Sequence, residues 1–243
     1  LGVRRQRQMC IRDRNIKTNK EEEIKFTDEK IIDPGISFYQ KDRDTDLIYL
    51  SYSSPKTQSR TYLYNLKSKE RKLVKEQEIP SGHNPEDYIV ERLECNSHDG
   101  RKVPITLTRH KKTKVDGTAN VLLYGYGSYG SSMSPSFSST KFSLIDRDII
   151  WVTAHIRGGM ERGMKWWKEG KLLNKKNTFE DYLAVGEFLI KNKYTSKKKI
   201  IGFGGSAGGL LMGAVVNQKP ELFLAMILAV PFVDSLTTNL DHS

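Results

Sequence analysis

Hydrophobic positions give the chain two textures. Between about residues 35 and 75 they come in short, partly alternating runs, at 35–40, 47–52, 61–65 and 72–75. Clusters of turn formers at 41–46, 53–59 and 65–70 separate the runs. This pattern predicts four short antiparallel strands, the size of one propeller blade or of a small sandwich edge. A sheet of that size has little core of its own, so partner blades are expected upstream of it. The stretch 79–85, with Pro80, Gly82 and Pro85, reads as a linker.

Past the linker the runs lengthen. Strands at 88–96 and 103–108, joined by Ser97-His98-Asp99-Gly100, read as a hairpin with an Asp-Gly turn. A buried strand from Val121 runs into a glycine loop ending at Gly130, and 149–155 is the next strand. A helical period follows at 178–190, where Phe179, Tyr182, Leu183, Gly186, Leu189 and Ile190 trace one face. Thr178 with Asp181 fits a capping box at its start. An apolar run at 199–203, a helix from 207 towards Pro220 and a strand at 223–230 complete the series. Strands alternating with helices predict an α/β fold with a mainly parallel sheet. Function in such sheets sits at the carboxyl ends of the strands, where residues 124–130, 155–161 and Ser206 all fall.

Composition narrows the class. Of the 243 residues, 37% are hydrophobic and 28% charged, as in a soluble, rather polar chain. No apolar run approaches transmembrane length, and no apolar segment follows the arginine-rich start, so neither a membrane partner nor a signal peptide is expected. Cys10 and Cys95 make no disulfide framework, which favours a reducing, cytoplasmic setting. The net charge of +11 raises nucleic acid as a partner. The lysines cluster in turns such as 197–199 without interleaved stacking aromatics, so no nucleic-acid partner is expected. No metal or cofactor is called for. Residues 1–14 have no helical or strand period and are expected to be a non-native or disordered end.

The chemistry concentrates at Gly204-Gly205-Ser206-Ala207-Gly208, a G-x-S-x-G placed where a strand turns sharply into a helix. A serine hydroxyl needs rigid exposure beside a base to act as a nucleophile. The small neighbours Gly204, Gly205 and Gly208 let strand and helix pass close by. The helix start aims its dipole at the serine, and the Ala207 N–H can donate to an oxyanion. A phosphate-binding turn is the competing reading. Neither G-x-G-x-x-G nor a lysine-bearing phosphate loop is present.

Four stretches in order resemble one family. They are Leu123-Tyr-Gly-Tyr-Gly-Ser-Tyr-Gly130, His155-Ile-Arg-Gly-Gly-Met-Glu161, the run from Gly170 to Tyr182, and Gly204-Gly-Ser-Ala-Gly-Gly-Leu-Leu-Met-Gly213. Together they resemble the prolyl oligopeptidase family of serine peptidases, and within it the branch that cleaves short peptides after Arg or Lys. The resemblance runs from about residue 35 to the end. It implies the last strands of a β-propeller over residues 15–84, then the N-terminal part of an α/β-hydrolase catalytic domain over 85–243. It further implies Ser206 as nucleophile, Ala207 as a backbone oxyanion donor, Tyr126 as a phenol donor to the same oxyanion, and short peptides as substrates without a cofactor. The substrate-binding residues and the oligomeric state stay open.

Two positions depart from the family. Met160 stands where Arg-Gly-Gly-Gly-Glu has its third glycine, which is expected to narrow that loop. The stretch 131–137 lacks the carboxylates that favour a second basic substrate residue in some members, so no dibasic preference is expected. After Ser206 the candidate acids and bases are Glu221, Asp234, Asp241 and His242. Serine hydrolases of this fold order their triad Ser, Asp, His, each partner after its own strand. Asp241 and His242 are adjacent and cannot fill both places, Asp234 reads as a strand-end structural residue, and His155 and His98 precede the serine. The triad acid and base are therefore expected beyond residue 243, and the chain alone is expected to be nearly inactive. An esterase or acyl-peptide hydrolase of the same fold is the alternative enzyme, and a non-catalytic basic binding module the alternative outside enzymes.

Overall fold

The computed structural model describes residues 10–14, 18–25, 35–39 and 45–240. They fall into two compact units. One is built on residues up to Pro85 together with Pro135–Ser139, the other on Glu86–Ser134 and from Thr140 onward.

The first unit holds β1 (Cys10–Arg14), β2 (Glu21–Lys25), β3 (Gly35–Tyr39), β4 (Leu47–Ser53), β5 (Arg60–Asn65) and β6 (Arg71–Glu76). Strands β3 to β6 form one antiparallel sheet in sequence order. On β4 the pleat buries Ile48, Leu50 and Tyr52, which meet Tyr64 of β5 in a small core. Phe38, Tyr39, Leu73 and Val74 stay exposed. Strands β1 and β2 pair antiparallel, from Cys10 opposite Lys25 to Arg14 opposite Glu21. Of residues 1–14, expected to be a non-native or disordered end, residues 1–9 lie outside those described.

The second unit is a six-stranded sheet. Its strands are β7 (Tyr88–Asn96), β8 (Lys102–His110), β9 (Asn120–Tyr124), β10 (Ile149–Ala154), β11 (Ile200–Gly205) and β12 (Phe223–Ala229), in the order β12-β11-β9-β10-β8-β7. The hairpin β7–β8 and the pair β8–β10 are antiparallel. The pairs β10–β9, β9–β11 and β11–β12 are parallel. The connection from β9 to β10 places β10 on one flank of β9, and β11 then lies on the other. In sheets with such a reversal, ligands bind outside the carboxyl ends of the strands, here those of β9, β10 and β11.

Helix α1 is Ser139–Ile145, α2 is Met164–Lys168, α3 is Lys176–Lys191, α4 is Ala207–Gln218 and α5 is Ser235–Leu240. Helices α1, α2 and α5 have seven residues or fewer, too short to show a helical period in the sequence. Helix α3 packs on β7, β8 and α4, while α4 lies along β11 and β12. The core joins fully buried Val103, Ile105, Leu107, Val121 and Leu123 of the sheet to Leu189 of α3. The expected capping box does not form. Helix α3 begins two residues earlier, after a 3-10 turn at Leu172–Asn174, so Thr178 and Asp181 are interior and buried. Thr178 Oγ1 donates instead to the carbonyls of Arg157 and Gly170, at 2.9 and 3.2 Å.

Strand β12 has a neighbour on one side only among the described residues, and it leaves Leu224 and Ile227 exposed. An unpaired apolar edge of this kind templates self-association. Ile227→Lys should reduce aggregation of the 243-residue chain, read by light scattering, with the melting temperature little changed.

Candidate active site

Ser206 links β11 to α4 with φ 54° and ψ −118°. A side-chain-bearing residue rarely adopts this backbone, and holding it there costs about 1–3 kcal/mol. The surroundings impose it. A Cβ on Gly204 would lie 2.2 Å from Gly208 O, and one on Gly209 would lie 2.4 Å from Pro231 Cβ. A Cβ on Gly208 would come within 2.9 Å of Gly125 O. Gly205 is the looser of the turn glycines, with Ala229 O at 3.4 Å from such a Cβ. The Ser206 N–H donates to Ala229 O at 2.9 Å, and Ser206 O accepts from Gly209 N at 2.9 Å and Phe232 N at 3.0 Å. The end of β12 thus brackets the serine backbone, a role the sequence reading missed. Its signal was Val230-Pro231, where the β-branched Val230 sits at φ 41°.

The Ser206 residue is exposed, whereas Ala207 and Gly208 behind it are buried. As the first residue of α4, Ala207 carries an N–H that the helix itself leaves unused. Tyr126 reaches the same spot from the neighbouring strand. Tyr124 on β9 stands opposite Phe203 on β11, and Gly125 N donates to Phe203 O at 3.1 Å. One residue further, the ring of Tyr126 lies over Gly208, its Cδ2 3.4 Å from where a Cβ there would be. Burial, with Tyr126 nearby, pushes the Tyr124 phenol above its ordinary pKa, and its O–H points at Met133 Sδ. Tyr126, Ser206, Ala207 and the turn glycines therefore come together at the carboxyl ends of β9 and β11.

The loop after β10 supports this corner from below. The Arg157 side chain is 1% exposed and clamps Asp181 of α3, through Nε at 2.9 Å and Nη2 at 2.6 Å. It also reaches Asp99 of the β7–β8 turn, through Nη1 at 2.5 Å, and Ser97 Oγ at 3.2 Å. Burial works to lower the pKa of Arg157, but its hydrogen bonds to the Asp181 and Asp99 carboxylates outweigh it and hold the pKa above its ordinary value. Burial likewise works to raise the Asp99 carboxyl, and the Arg157 guanidinium overrides it and keeps it below the usual range. The Gly127 carbonyl sits so near Gly158 that a Cβ there would be 2.0 Å from it, and Gly158 has φ 94°. Met160 closes on Gly130, with Cε 2.8 Å from a Cβ position there.

The remaining candidates stand apart. His155 is 2% exposed. Its Nε2 faces Arg92 Nη1 at 2.7 Å and Thr106 Oγ1 at 2.9 Å. Arginine only donates, so Nε2 is an occupied acceptor, as in a structural imidazole. Asp234 Oδ1 accepts from Thr237 N at 3.0 Å and caps α5, a structural role, though a helix cap rather than the strand-end one read from the sequence. Glu221 lies exposed in the turn Pro220–Leu222. Asp241 and His242 lie outside the described residues. Among the described residues no cluster of three or more His, Cys, Asp or Glu could hold a metal ion, and no helix is long and apolar enough to cross a membrane.

Two expectations follow from this geometry. Gly204→Ala should destabilise the second unit by about 1–3 kcal/mol through overpacking, whereas Gly205→Ala should stay within about 1 kcal/mol, both read by denaturant melts. Asp181→Asn takes one of two carboxylates from the buried Arg157, leaving Asp99, and should cost about 1–3 kcal/mol in the same assay.

Comparison with known proteins places the chain in a family. Residues 135–243 match the prolyl oligopeptidase family model. Dipeptidyl aminopeptidase BI of Pseudoxanthomonas mexicana is 44% identical over 229 residues, 94% of this chain and 31% of its own length. Protease 2 of Moraxella lacunata is 40% identical over 82% of this chain and 29% of its own length. The structure of oligopeptidase B from Trypanosoma brucei with covalently bound antipain superposes with a TM-score of 0.79, at 38% identity over 91% of this chain and 31% of that one. The α/β-hydrolase sheet preceded by propeller strands is the architecture of these neighbours. The chain spans just under a third of the relatives it matches, and it belongs to the prolyl oligopeptidase family.

Proposed function

We propose that Ser206 is the nucleophile of a serine oligopeptidase that cleaves short peptides, after Arg or Lys, through an acyl-enzyme. One observation carries the reading: an exposed serine held at φ 54° at the head of α4, with the Tyr126 ring packed two residues away. In this reading Ser206 Oγ attacks the scissile carbonyl while a base takes its proton. The reading gives the developing oxyanion to the Ala207 N–H and the Tyr126 O–H. The α4 dipole adds its positive end. The reading assigns the triad acid and base to positions beyond residue 243, in the order usual for this fold.

The preference for a basic residue at the cleavage site rests on likeness to Protease 2 and to oligopeptidase B. The stretch 131–137 is free of carboxylates, which fits recognition of a single basic residue.

The test uses the full reading frame that carries this chain. A fluorophosphonate probe should label it, peptide mapping should place the adduct on Ser206, and Ser206→Ala should abolish the labelling. Tyr126→Phe should lower kcat on an Arg-aminomethylcoumarin peptide by about 10²–10³. Residues 1–243 alone, without an activated serine, should be slower by about 10⁴–10⁶. An adduct elsewhere, or turnover unaffected by Ser206→Ala, would defeat the reading.

A further inference from the structure

Lys175 breaks two local rules. It stands at the entry to α3, where the dipole disfavours a cation, and the first turn of that helix carries no acidic residue. It is also half-buried, and burial pulls its pKa down to about 8. A long, flexible lysine at such a place would ordinarily turn out to water. Its Nζ instead donates to Gly127 O at 2.6 Å and to Ser128 Oγ at 2.7 Å. These acceptors are the two residues that directly follow Tyr126. Residues that break local rules and are held there mark functional positions.

The rest of the Gly127 environment is rigid. Gly127 has φ 67°, and a Cβ there would lie 2.4 Å from the Thr178 methyl and 2.9 Å from Arg157 O. Gly158 closes on its carbonyl from the other side. Thr178 and Arg157 are themselves fixed by the Arg157–Asp181 cluster. The ammonium of Lys175 adds a charged donor to this cradle, and it pins the Gly127–Ser128 peptide unit, one unit beyond those that flank the Tyr126 Cα.

We infer that Lys175 is a positioning residue that fixes the Tyr126 phenol as an oxyanion donor, by anchoring Gly127 O and Ser128 Oγ. The inference rests on the proposed roles of Ser206 and Tyr126. An oxyanion donor displaced by a fraction of an ångström loses much of its effect, because its value lies in being aimed before charge develops.

A double-mutant cycle tests this in the full reading frame. Lys175→Met should lower kcat on an Arg-aminomethylcoumarin peptide by about 10–10²-fold, with KM little changed. Tyr126→Phe should lower it further, and the double variant should be no slower than Tyr126→Phe alone, because the lysine acts through the phenol. If Lys175→Met does not fold, the cycle is run with Ser128→Ala, which removes one acceptor and leaves the lysine in place. A smaller drop with the same loss of effect in the Tyr126→Phe background is then expected. Multiplicative effects in the cycle, or unchanged kcat in the single variant, would overturn the role of Lys175 while leaving the site reading intact. A wild-type protein that the fluorophosphonate probe leaves unlabelled at Ser206 would overturn both.

Discussion

A close approach of backbone to backbone governs the second unit. Where β11 turns into α4, the Gly204 Cα faces the Gly208 carbonyl at a separation that admits no side chain. The chain can make this corner only by passing through φ 54° at Ser206. A backbone that strained persists only where its neighbours over-determine it. Here the determinants are the hydrogen bonds from the end of β12 and the packing of Pro231 on Gly209. Strain and exposure thus have one origin. The fold lifts the serine clear of the sheet because the two elements behind it have no room to hold it.

A second constraint keeps the neighbouring loops in place. The buried Arg157 joins the turn after β7, the loop after β10 and the start of α3 through Ser97, Asp99 and Asp181. A buried ion pair of this kind is a poor source of net stability, since desolvation offsets most of its attraction. Its value is geometric, because each partner leaves the other with one arrangement. The glycine loop bearing Tyr126 lies against that cluster through Thr178 and Gly158.

Much of this was legible in the sequence, for identifiable reasons. The apolar runs of β9, β10, β11 and β12 and the alternation on β4 are dictated by burial, which leaves a period. The corner at Ser206 was legible because only glycine tolerates so close an approach. Thr178 and Asp181 were misread as a cap because their spacing suits one, while their true partner, Arg157, is 24 residues from Asp181 in sequence. Lys175 was invisible for the same reason, since nothing local marks a lysine that reaches a loop 47 residues away. Helices α1, α2 and α5 are too short to display a period, and the strand at Cys10–Arg14 has none to display.

In the proposed reading these local facts share one purpose at the carboxyl ends of β9, β10 and β11. The measurement that tests this convergence most directly is a crystal structure of the full reading frame carrying a covalent tetrahedral adduct. The account predicts the adduct on Ser206 Oγ, with its oxyanion about 2.7–3.1 Å from both Ala207 N and the Tyr126 hydroxyl. An adduct on another residue, or an oxyanion turned away from Tyr126, would contradict it.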